Sequence, residues 1–240
     1  MYEERTYRRI SRPQDLTCYE VRYKETDLFC CTTNDLSRII EERVFYYRNQ
    51  LEGYIRQRPE FLHSLVPVSL DRVAPKIARE MMEAAAVLGV GPMACVAGAV
   101  AEFIGRDIDA LSDDYIIENG GDIYLRTRQE RRAVIYAKDS PYSGKIAIRL
   151  KPSDASYGMC TSSASVGHSL SMGKTDAVCV MGKSALFTDG LATLLGNLVK
   201  AEDDIAEGLE TGQAFPGVTG ILIILGEKLG AWGDLELTKV

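Results

Sequence analysis

The tetrapeptide Asn119-Gly120-Gly121-Asp122 lies between two apolar, strand-like runs, Tyr115–Glu118 and Ile123–Thr127. Asparagine and glycine tolerate the positive φ of a tight turn, so this spacing predicts a β-hairpin. A hairpin there commits the middle of the chain to antiparallel pairing, because parallel neighbours need a crossover of about a dozen residues or more. Other strand-like runs cluster in the same way. They are Arg5–Ile10, Thr17–Tyr23 and Thr26–Thr32, then Ala133–Ala137 and Lys145–Leu150 around Pro141–Gly144, then Met159–Ser162 and Ala177–Val180. Val218–Leu225, Leu229–Trp232 and Leu235–Val240 close the chain. Helical periodicity occupies separate runs: from an Asn34 or Asp35 cap to Arg56, Asp71–Leu88 with Pro75 in its first turn, Ala94–Ile104, Ser184–Gly196 and Ala201–Leu209. Strands gathered into hairpins and helices gathered into runs indicate an α+β fold rather than alternating βαβ units. The 240 residues suit one domain over 1–240, or two closely packed halves, with no separating linker.

The formal charge of −6 argues against nucleic acid as a partner, since phosphate backbones are held by clustered Lys and Arg. The basic group Arg126, Arg128, Arg131 and Arg132 is interrupted by Glu130 and reads as a solvated turn. No run approaches the roughly 20 apolar residues of a spanning helix, and the charged start MYEERTYRRI lacks a signal-like apolar core. The expectation is a cytoplasmic protein with no membrane partner. Six cysteines lack any C-x-x-C pair. They read as reduced and mostly structural, with Cys160, near His168, as the one cysteine that could be reactive.

The chemistry-bearing stretch runs from Thr161 to Asn197. It opens with small hydroxyl residues, including Ser162 and Ser163, and passes His168. A helix follows with Asp189 and Thr193 four positions apart, hence on one face. A carboxylate above a hydroxyl suits a hard cation such as Mg²⁺, although Asp and Thr near a helix start also act as caps. The Ala/Gly-rich run Ala94–Ile104 allows close approach of a ligand or of another backbone.

Three segments resemble the ApbE-like superfamily of flavin transferases, long labelled thiamine-biosynthesis lipoproteins. Ile117–Ile123 is similar to the family's N-x-G-G-D-I hairpin, Thr188–Thr193 to its A-D-A-L-A-T helix, and Gly98–Ala101 to its G-A-I-A-K-G segment. The resemblance implies an α+β, T-fold-related antiparallel sheet with helices packed on one side. It also implies FAD or FMN and Mg²⁺ as cofactors and an acceptor protein as partner. Asp189, Thr193 and the Ala99 carbonyl would then be metal ligands, and Asn119, Gly120, Gly121 and Asp122, with Ser162 and Ser163, would line the nucleotide. The family's lysine is Glu102 here, and the loop after His168 lacks the family's Pro-x-Thr-Gly turn.

Three functions follow as alternatives. The first is a Mg²⁺-dependent FMN transferase or FAD pyrophosphatase with His168 as acid–base group. The second is a non-catalytic flavin or nucleotide carrier, which the departures at Glu102 and after His168 favour. The third is a hydrolase using Cys160 or Ser163 with His168. Apolar edge-like strands near the C-terminus offer a route to a homodimer, and burial within one chain explains them equally.

Overall fold

A computed structural model of the chain describes residues 13–162 and 174–240. Two seven-residue strands, β1 (Thr17–Tyr23) and β2 (Thr26–Thr32), pair antiparallel where period-2 patterning places them. The expected strand at 5–10 lies outside the described residues. Helix α1 (Ser37–Gln57) turns Ile40, Val44, Tyr47, Leu51 and Tyr54 inward at three- and four-residue spacing. The short α2 (Glu60–His63) follows. Helix α3 (Lys76–Leu88) starts five residues later than the sequence pattern suggests. Pro75 stands before the first turn, and a proline pushes the residue ahead of it towards extended backbone. A 3₁₀ turn, Pro92–Cys95, then leads into α4 (Val96–Ile108).

The predicted hairpin forms from β3 (Tyr115–Asn119) and β4 (Asp122–Arg126). Its register pairs Asn119 with Asp122, so the turn residues are Gly120 and Gly121, at φ 72° and 101°, and not Asn119 and Gly120. The rest comprises β5 (Arg131–Val134), β6 (Ile146–Leu150), β7 (Tyr157–Ser162), β8 (Ala177–Gly182), α5 (Ala185–Leu198), α6 (Ile205–Gln213), β9 (Val218–Leu225), β10 (Lys228–Gly233) and β11 (Leu237–Lys239).

An eight-stranded sheet runs β1-β2-β3-β4-β7-β8-β9-β10, every neighbouring pair antiparallel. Helices cover one face, with α1 over β1, α4 over β3 and β4, α5 over β7 and β8, and α6 over β9 and β10, while α3 packs against α1, α4 and α5. A three-stranded sheet, β11-β6-β5, packs through Ile148 and Leu150 onto Leu125, Met159, Leu222 and Ile224 of the opposite face. This is the α+β class expected. Among the described residues no single helix is long and apolar enough to cross a membrane.

The reading of all six cysteines as reduced is corrected: Cys18 and Cys31 form a disulfide, and Cys30, Cys95, Cys160 and Cys179 are buried thiols outside it. The β1–β2 register sets Cys18 directly opposite Cys31, a juxtaposition that sequence spacing does not reveal before the pairing is known. Thiol titration of the denatured, unreduced protein should count four reactive groups; six would disprove the bridge. Replacing both bridged cysteines with serine should cost about 2–4 kcal/mol in urea unfolding, the usual range for a cross-link closing a short loop.

Candidate functional site

Helices α4 and α5 cross at near backbone contact. A Cβ on Gly98 would lie 2.2 Å from the Ala185 carbonyl oxygen and 2.8 Å from the Asp189 Cβ. The small residue at this position therefore admits another helix. At that crossing the Gly98 N–H donates to Asp189 Oδ2 at 2.9 Å. The hairpin reaches the same place: Asn119 Nδ2 donates to the Ala97 carbonyl at 3.1 Å, and the Thr161 N–H donates to Asp122 Oδ1 at 3.2 Å. Four segments remote in sequence thus converge on Asp122 and Asp189.

Both carboxylates are buried, at 8 % and 9 % exposure. Burial pushes the Asp189 carboxyl up to about 7, against the pull of the Gly98 and Ala97 N–H groups. Asp122 is raised well above the carboxylate range, first by burial and then by the charge of Asp189. Two anions so placed resist ionising together. Thr193, one turn beyond Asp189, is also buried, and Ala99 is fully buried at the end of the first turn of α4. Among the described residues no group of three or more His, Cys, Asp or Glu side chains is arranged to hold a metal. Any cation here must draw on hydroxyl and carbonyl oxygens as well as the two acids.

Gly120 and Gly121 are half-buried at the hairpin tip, and the Gly121 N–H is committed to Glu118 Oε1 at 2.8 Å. Ser162 is half-buried at the end of β7. Ser163 and His168 lie outside the described residues. The Cys160 thiol is fully buried, donates to the Ala185 carbonyl at 3.2 Å and is pushed well above its ordinary pKa by burial. It lacks the exposed thiolate that a nucleophile needs. Lys174 and His63 are exposed.

Glu102 has a part that sequence reading missed. It is 2 % exposed, forms an ion pair with Arg106 at 2.5 Å, and its Oε2 accepts from Ser184 Oγ at 2.7 Å and from the Leu186 N–H at 2.9 Å. Ser184 in turn caps α5 by accepting from the Phe187 N–H. An anion therefore sits at the N-terminus of the helix that carries Asp189, where the macrodipole favours negative charge. The Glu102–Arg106 spacing was visible in sequence, but nothing there links residue 102 to residue 184.

Two measurements probe this arrangement. Glu102→Lys places a cation against the helix N-terminus and Arg106, and should cost about 3–5 kcal/mol in urea unfolding, the range for breaking a buried ion pair. A loss below about 1 kcal/mol would contradict the capping role. A carboxyl with a folded-state pKa above its unfolded value binds its proton more tightly when folded. Its contribution is complete below the unfolded pKa of about 4 and is lost as pH rises to about 7. In chelator-treated buffer the melting temperature should fall across that window, and Asp189→Asn should flatten the decline.

A family model described as AbpE bacteria matches residues 8–230. The UPF0280 protein of Methanocaldococcus jannaschii is 40% identical over 205 residues, 83% of each chain. The UPF0280 protein of Methanosphaerula palustris is 42% identical over 198 residues, 82% of each. Among solved structures, the apo flavinyl transferase ApbE of Pseudomonas stutzeri superposes with a TM-score of 0.60 at 13% identity, over 90% of this chain and 94% of that one. The ApbE protein of Thermotoga maritima gives 0.56 at 13%, over 91% and 97%. At these identities the structural likeness speaks to the fold. The family match over most of the chain, with two relatives at 40% identity or above, makes this chain a divergent ApbE-like member of the family described as AbpE bacteria.

Proposed function

We propose that this chain binds FAD and Mg²⁺ and transfers FMN from FAD to a hydroxyl of an acceptor protein. One observation carries the reading: Asp122 and Asp189, both buried, are brought by separate elements to the crossing that Gly98 and the hairpin share. Such a pair is costly unless it is protonated or placed beside a cation. Its hard oxygens, with the Thr193 hydroxyl and the Ala99 carbonyl, fit Mg²⁺. Bound Mg²⁺ would supply charge neutralisation to a diphosphate. The flavin transferase activity named for the structural neighbours supports the choice of ligand.

The chain's own groups then divide the work. Asn119 ties the hairpin to the start of α4, so the glycine turn and the acids keep one spacing. The Gly120 N–H and the Ser162 hydroxyl would line the nucleotide. The acceptor oxygen bonds to the FMN phosphorus, its proton passes to His168, and AMP leaves as the phosphoanhydride breaks. With water as acceptor the same site is an FAD pyrophosphatase.

A second reading, a flavin carrier without turnover, is favoured by Glu102. This anion stands where the ApbE pattern has a lysine, and its partners within the fold leave nothing to hold a phosphate. Metal-stripped protein should release AMP from FAD only when Mg²⁺ is restored, and Asp189→Asn should lower the rate about 100-fold or more, as for loss of a principal electrostatic contact. Saturable FAD binding with no AMP under any acceptor would select the carrier. Absence of both binding and release would end the flavin assignment.

A further inference from the structure

Strand β1 ends the eight-stranded sheet, and among the described residues its one strand neighbour is β2. Its outer edge lacks the proline and the bulge that commonly blunt such strands: seven residues pair with β2 without a register shift. The Cys18–Cys31 disulfide fastens β1 to β2. The chain leading into β1 does not cross this edge. Asp15 accepts from Arg131 of β5 at 2.9 and 2.8 Å, and Arg131 also donates to Asp114, the residue before β3. Residues 13–16 therefore approach β1 from the β3 side of the sheet.

The two-residue turn at Lys24 and Glu25 makes Tyr23 and Thr26 a hydrogen-bonded pair, so alternation points the backbone N–H and C=O groups of Cys18, Glu20 and Arg22 outward. The Glu20 and Arg22 side chains are 40% and 51% exposed and meet each other at 2.6 Å along the strand, an exposed contact that contributes little. An acid and a base on either side of Val21 make the strand complementary to itself. When two copies pair antiparallel about a two-fold axis through Val21, each Glu20 stands opposite the partner's Arg22, and these are the residues whose outward backbone groups bond. An axis through Glu20 or through Arg22 instead sets like charges opposite each other. On the helix-covered face the Val21 register brings Tyr19 opposite the partner's Tyr23, against which the half-exposed Phe45 packs edge-on at 5.5 Å. Strand β10, at the other end of the sheet, has Lys228 as its one charged residue and no such self-match. We propose that β1 pairs antiparallel with β1 of a second copy of this chain, centred on Val21, joining two eight-stranded sheets into a homodimer.

Sedimentation equilibrium of the full chain over a concentration series should show a reversible dimer. Glu20→Arg makes both inter-chain pairs repulsive and should weaken the dimer about tenfold at an unchanged melting temperature, as should Arg22→Glu. An equimolar mixture of these two variants should recover the dimer, because one chain is then basic at both positions and the other acidic. The double exchange Glu20→Arg/Arg22→Glu should recover it as well. Arg22 also lies 3.4 Å from Asp27 of its own chain, so if Arg22→Glu proves unstable, Glu20→Arg decides alone. A chain that stays monomeric up to its solubility limit, as when its own residues 1–12 occupy the edge, overturns the proposal. So does a dimer that Glu20→Arg leaves at full affinity, or a pair of stable variants that stay apart when mixed. The outcome is independent of whether the chain turns over FAD.

Discussion

The Glu102 carboxylate is taken out of water to hold the start of α5, and the position of Asp189 rests on that contact. A lone buried anion would cost several kcal/mol. Here it is offset by Arg106, by the Ser184 hydroxyl and by a main-chain N–H at the positive end of the helix. Arg106 also pairs with Glu80 of α3 at 2.8 Å. One ionic string thus runs from α3 through α4 to α5 and fixes three helices relative to each other above the sheet.

Beside this network stands a cluster buried at greater electrostatic cost. Asp122 and Asp189 share a water-poor volume with the Cys95 and Cys160 thiols, whose pKa values are also driven up by burial and by Asp189. Folding pays to assemble these groups, and neighbouring N–H donors recover only part of that cost. Proteins commonly keep such local conflict where a ligand is received, since groups content without a ligand have little to offer one.

Much of the architecture could be read from the chain. β1, β2 and β9 fall on the strand-like runs of the sequence, because each is short and bounded by turn residues. The hairpin was legible from its glycines, but which two residues turn was decided by register, a property of both strands together. Asp189 and Thr193 were legible as a same-face pair, and Asn119 and Asp122 as a turn. Their convergence was legible only through the family resemblance, because a buried charge interaction between residues 122 and 189 leaves no trace in local periodicity. The disulfide and the Glu102 cap escaped for the same reason.

The acidic centre joins residue 98 to 189, 119 to 97 and 161 to 122, with 91 positions between the first pair. Contacts so distant along the polymer bear the full entropic penalty of loop closure before they return any energy. No hairpin or helix pair cut from the chain can contain the centre. It comes into being only once the complete sheet has closed, so competence to receive a ligand and cooperative folding of the whole polypeptide are, in this architecture, a single event.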